Sequence, residues 1–183
     1  MASADTLARY NLKDRCIQKI DLRSCYMQQR PNQPFNDMIM RDNGFIDLSM
    51  LNSPHLEIIN LYIKHGEKWV KDNYHNTRYH KMLKLMGKDG FPHKIFKLFK
   101  SLKKGYLRKK YAKEYIVVLE KPFAKSRYNR DVKNLVPEIW SGHHRAAILI
   151  ALCQYEVKVL IADDAAEGLC ASAGKIHNLC VKE

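Results

Sequence analysis

Hydrophobic and polar positions alternate along Cys16-Ile17-Gln18-Lys19-Ile20-Asp21-Leu22, the pattern of a strand with one buried face. The spacing then changes. Ser53 is a good helix N-cap with Pro54 at the first helical position, and Leu56, Ile59, Tyr62 and Ile63 recur on one face as far as Gly66, where the helix is expected to stop. After Asn76-Thr77, Tyr79, Met82, Leu83 and Met86 repeat at helical intervals and Gly87 ends the run; the methionines and Tyr79 are expected in the core rather than on a ligand. A third helix is predicted from His93 to Lys104, with Ile95, Phe96, Phe99 and Leu102 buried and Gly105 beyond its end. Tyr115-Ile116-Val117-Val118-Leu119 is short, β-branched and bounded by charge, as a buried strand should be.

The most informative stretch is Pro137-Glu138-Ile139-Trp140-Ser141-Gly142-His143-His144-Arg145-Ala146-Ala147. It predicts a short strand, a tight turn at Gly142, and a helix opening on two histidines and an arginine, with Val157–Ala162 as the return strand. The remaining segments are plainer. Residues 1–16 predict a short helix or a loosely held arm, and the prolines of Arg30–Phe35 exclude regular structure there. Phe45–Ser49 is expected to lead into the helical region. The fold class is α+β in a single domain, 1–183, with a helical insertion at 36–93 and a small-residue-rich tail at 165–183.

Composition adds the class of protein. The chain has 183 residues, 46% of them hydrophobic and 28% charged, which excludes a disordered chain and permits a sizeable core. No apolar run is long enough to span a bilayer, and Met1–Thr6 lacks a basic-then-apolar leader, so a cytoplasmic protein is expected. Five cysteines at irregular spacing argue against a disulfide framework. Cys170, His177 and Cys180 lack paired zinc-ligand spacing, and no metal site is expected.

Charge narrows the ligand. The formal net charge is +13, which favours polyanions. From Lys94 to Lys113 there is no acidic residue, and Lys97, Lys100, Lys103, Lys104, Arg108, Lys109 and Lys110 form either a solvated helix face or a surface for nucleic acid. At the turn, the dipole and amides of a helix N-terminus favour an anion, and Arg145 adds a forked cationic donor.

The Ser141-Gly142-His143-His144-Arg145-Ala146-Ala147 turn resembles that of the ParB/sulfiredoxin superfamily. Leu102–Gly105, the strand at Ile116–Val118 and the first strand at Ile17–Leu22 resemble further pieces of that fold. The resemblance implies a ParB/sulfiredoxin-like small mixed sheet with packed helices, its core at 15–35 and 94–164. Sulfiredoxins carry a catalytic cysteine where this chain has His143, so their thiol chemistry is not expected. Partitioning proteins follow the motif with a helix-turn-helix module, and with Glu183 only 38 residues beyond Arg145 a full partitioning protein is not expected. The Gly-His-His-Arg form is similar to that of free serine kinases, which hold nucleotide phosphates there. Those kinases carry an acid before the glycine, where this chain has Ser141, and another carboxylate near the first strand, where this chain has Gln28 and Gln29 and its nearest carboxylate is Asp21.

Phosphoryl transfer needs a phosphate cradle, added positive charge and a carboxylate or base that orients the acceptor. The expected cradle is Ser141, Gly142, His143, His144 and Arg145, with Arg127 and Arg130 from the preceding basic loop. Glu120, closing the central strand, is the expected acceptor-orienting carboxylate or Mg²⁺ ligand, with Asp47 and Asp21 behind it, and His144 is the candidate base. The resulting expectation is a nucleotide-binding phosphotransferase or nucleotide hydrolase that uses ATP, ADP or CTP with Mg²⁺ and acts on a small-molecule or glycan-related acceptor. The alternative is a basic nucleic-acid-binding or nuclease module.

Overall fold

The computed structural model describes residues 17–27, 41–42, 45–46, 49–88, 90–107, 114–119 and 137–161, with 41–42 and 45–46 described in the backbone alone. In chain order the strands are β1 (Ile17–Asp21), β2 (Tyr26–Met27), β3 (Arg41–Asp42), β4 (Phe45–Ile46), β5 (Val117–Leu119), β6 (Glu138–Ser141) and β7 (Glu156–Ile161). Five of them form one mixed sheet in the order β1-β7-β5-β6-β2. Its centre is β5, parallel to β7 and antiparallel to β6. Every residue from Tyr115 to Leu119 is buried, and a continuous apolar run suits a strand covered on both faces.

Four helices accompany the sheet: α1 (Pro54–Asn73), α2 (Arg78–Leu85), α3 (His93–Leu102) and α4 (His143–Ala151). Ser53 caps α1 by accepting the Leu56 N–H at 3.1 Å, and Thr77 caps α2 by accepting the His80 N–H at 3.1 Å. Each cap contributes about 1 kcal/mol. The α3 stripe of Ile95, Phe96, Phe99 and Leu102 is buried as expected. In α4 the five consecutive residues Ala146–Ile150 are all buried, so this helix is covered on every side. Both α1 and α3 pack on it, and α2 packs on α1. One hydrophobic cluster joins Ile58, Ile59 and Tyr79 of the insertion to Phe96, Ile148 and Val159 outside it.

Several expectations require correction. Gly66 does leave the helical conformation, at φ 83° and ψ 171°, but the chain re-enters a helix and continues to Asn73. Ile63 is 50% exposed rather than buried. The buried side of α1 runs through Ile58, Ile59 and Tyr62, and a spacing of three and four does not say on which side of Ile59 the stripe lies. Phe45-Ile46 pairs with Arg41-Asp42 as a short antiparallel ladder, so the insertion is not helical throughout. Strand β2, parallel to β6, was not foreseen, because two residues give no readable period. The arm at 1–16, the prolines of Arg30–Phe35 and the tail at 165–183 lie outside the described residues. Among the described residues, no helix is long and apolar enough to cross a membrane.

Candidate functional site

Strand β6 ends at Ser141, and Gly142 turns the chain into α4 with φ 96° and ψ 24°. A β-carbon at Gly142 would lie 3.2 Å from Ile116 Cγ1, 3.3 Å from Ile116 Cα and 3.4 Å from an Arg145 Nη1. Glycine is therefore required twice, for the left-handed backbone and for the close approach to the residue that leads into β5. The Ile116 N–H that faces this region is taken by the Tyr106 hydroxyl at 3.0 Å, and burial pushes the Tyr106 phenol up to about 12.

Among the described residues no side chain caps the first turn of α4. First-turn N–H groups of a helix have no intrahelical acceptor, and their summed dipole is positive. The Arg145 guanidinium folds back over the same turn. It donates through one Nη2 to Glu114 Oε2 at 2.6 Å, and its side chain is 15% exposed. Its Nε is shielded from solvent and has no partner among the described residues. A guanidinium has five donors, and the bond to Glu114 engages one of them.

A cleft of about 400 Å³ opens over the turn. One wall is Trp140, Ser141, Gly142, His143, His144 and Arg145; facing it are His55 from the first turn of α1, Tyr79, Met82 and Leu83 from α2, and Met86 and Lys88 beyond α2. His55 stacks on His143 with ring centres 5.5 Å apart and meets His144 edge-on at 4.8 Å. The Tyr79 hydroxyl and His144 Nε2 are hydrogen-bonded at 2.7 Å. Burial, reinforced by Arg145 and Lys88, pulls the His144 pKa down to about 4. Burial and the neighbouring His144 and His143 hold His55 well below the usual imidazole range. Both rings are therefore neutral at physiological pH, and burial keeps the Tyr79 phenol protonated.

The expected cradle, Ser141 to Arg145, is thus brought to one cleft. Glu120, Arg127, Arg130 and Asp47 lie outside the described residues, as do Arg108, Lys109 and Lys110. Asp21 does not line the cleft; it caps a short turn after β1 and is paired with Arg23 at 2.7 Å. Lys97, Lys100, Lys103 and Lys104 are exposed on and just after α3, and Lys100 is paired with Glu67 at 3.2 Å. Tyr79 and Met82 are core residues as expected, yet they also line the cleft.

Sequence reasoning missed Glu114, His55 and Lys88. Glu114 was hidden by its position at the edge of the basic run, and His55 looked like an ordinary first-turn residue behind a Ser-Pro cap. Compared with protein-family models, with curated proteins and with solved structures, the chain gives no match.

Proposed function

We propose that this chain is a nucleotide-binding protein of ParB/sulfiredoxin-like type that holds phosphate groups at the first turn of α4 and transfers or hydrolyses a phosphoryl group. The observation that carries this reading is the Gly142 turn. It opens an uncapped helix at the floor of a cleft, with the Arg145 guanidinium folded over it and the Arg145 Nε lacking a partner among the described residues. Backbone amides, the helix dipole and a forked cation converging on one point suit a phosphate group.

The chain's own groups divide the work. Arg145 stabilises charge on the phosphoryl oxygens. Among the described residues Glu114 is the one carboxylate lining the cleft, and it orients the acceptor hydroxyl or water. It thus supplies the acid that Ser141 does not. His144, neutral and tied to Tyr79, is a hydrogen-bonding wall, and with a pKa near 4 it is too weak a base to serve as the main proton acceptor. Among the described residues no group of three or more His, Cys, Asp or Glu side chains is set to hold a metal. Mg²⁺ carried on nucleotide oxygens would neutralise charge on the transferring group. The free thiols Cys25 and Cys153 fit a reducing, cytoplasmic setting.

Calorimetric titration with ADP, ATP and CTP tests the reading. Binding by the wild type that is lost in Arg145→Ala is expected. An absence of binding, or unchanged binding in the variant, refutes it. The acceptor reaction is then sought as ATP-dependent phosphorylation of small hydroxyl compounds, and loss of turnover in Glu114→Gln is expected.

The exposed lysines Lys94, Lys97, Lys103 and Lys104 favour a second reading, a nucleic-acid-binding surface. It predicts oligonucleotide affinity that falls steeply with salt. An absence of binding at low salt in a fluorescence assay removes it.

A further inference from the structure

Three imidazoles from two separate helix beginnings meet in the cleft, and one of them has no evident structural purpose. His55 stands in the first turn of α1, while His143 and His144 open α4. The His55 ring is 5.5 Å from His143, 4.8 Å from His144 and 5.4 Å from Tyr79. Its Nδ1 is shielded from solvent and has no hydrogen-bond partner among the described residues. Leaving such a group unsatisfied is costly, so an apolar ring would pack this position better if packing were its only role. His144 differs, because its Nε2 is engaged by Tyr79.

Among the described residues, the charged and titratable groups around His55 supply no free negative charge. From α4 come His143, His144 and Arg145; from α2 comes Tyr79; Lys88 follows α2. Among the described residues the one acid lining the cleft, Glu114, is paired with Arg145. His55 therefore sits where a proton is unwelcome until an anion arrives, beside the turn already assigned to phosphate.

We propose that His55, a residue of the insertion, is a direct contact of the phosphoryl group at the α4 turn, and that the site selects a dianionic terminal phosphate and takes up a proton as it binds. This rests on the phosphate reading above and adds the ligand's charge state and a second wall to the site. Phosphate oxygens supply the acceptors that the His55 ring lacks, and two negative charges reverse the electrostatics that keep it neutral. The proton comes from solvent and resides on His55, so both ring nitrogens become donors. A singly charged phosphate diester would contribute less to either effect and should bind more weakly.

The test is calorimetry with ADP near pH 7 in buffers of different ionisation enthalpy, which counts protons taken up. Wild type should bind ADP with net proton uptake. His55→Phe, which fills the ring's volume, should bind about tenfold or more weakly and lose the uptake. His55→Asn, which restores a donor near the Nδ1 position, should recover part of the affinity without the uptake. If wild type binds ADP with no proton uptake, or His55→Phe matches wild type in both affinity and proton count, the inference is overturned while the phosphate reading stands. If wild type does not bind ADP or inorganic phosphate at all, both fall. Should His55→Phe fail to fold by circular dichroism, the wild-type proton count and His55→Asn decide the matter.

Discussion

Replacing Gly142 by alanine separates two costs that the turn combines. The backbone sits at φ 96°, where a residue with a β-carbon loses about 1–2 kcal/mol. The new methyl would also meet Ile116 Cγ1 at 3.2 Å and Ile116 Cα at 3.3 Å. The side-chain carbon can give way, but the Cα leads directly into β5, the central strand. Crowding of this kind costs about 1–3 kcal/mol. Reduced freedom of the unfolded chain offsets about 0.4–1 kcal/mol. The expected net loss is about 2–4 kcal/mol. Gly87 is the control: it has φ 66° but nothing within 4 Å of an added β-carbon, so Gly87→Ala should cost about 1 kcal/mol. Urea unfolding followed by far-ultraviolet circular dichroism measures both. With a slope of about 2 kcal/mol per M, the Gly142 variant should unfold about 1–2 M earlier than wild type and the Gly87 variant about 0.5 M earlier. Equal losses in the two variants would refute the claim that the turn is pressed against Ile116.

Two further predictions follow from the cleft. His144 is held at about 4 against an ordinary 6.5, so the folded state binds fewer protons than the unfolded state between these values. Its contribution is fully present above about pH 6.5 and is lost as pH falls towards 4, about 2 kcal/mol of it by pH 5, and His55 adds in the same direction. Urea midpoints measured from pH 7.5 to pH 5 should fall accordingly and should flatten in His144→Gln; a flat wild-type profile contradicts the burial of these rings. Glu114→Gln should bind ADP several-fold more tightly, because Arg145 is released from its carboxylate partner, while any phosphoryl transfer is lost. Weaker ADP binding in that variant would mean that Glu114 supports the ligand rather than competing with it.

The elements legible in the sequence were those set by local rules. The Gly142 turn was readable because one residue type suits a left-handed junction between an apolar strand and an apolar helix. The stripe of α3 and the cap Ser53 were readable too, from helical spacing and from the Ser-Pro start. What remained hidden was pairing at long range. His55 reaches His143 across the core because α1 packs on α4, and Glu114 finds Arg145 across the gap between Ile116 and the Gly142 turn. Neither contact leaves a periodic trace. The pairing of β2 with β6 and the exposure of Ile63 were hidden similarly, since strand partners and the rotation of a helix depend on what packs against them.

The central claim is that the first turn of α4 holds phosphate. Backbone amide shifts of residues 143–145, followed by nuclear magnetic resonance during titration with ADP and separately with adenosine, test it most directly. The account predicts that ADP moves these amides together with the Arg145 Nε–H, and that adenosine leaves them in place. Shifts confined to the lysine face of α3, or equal shifts with adenosine, would contradict it.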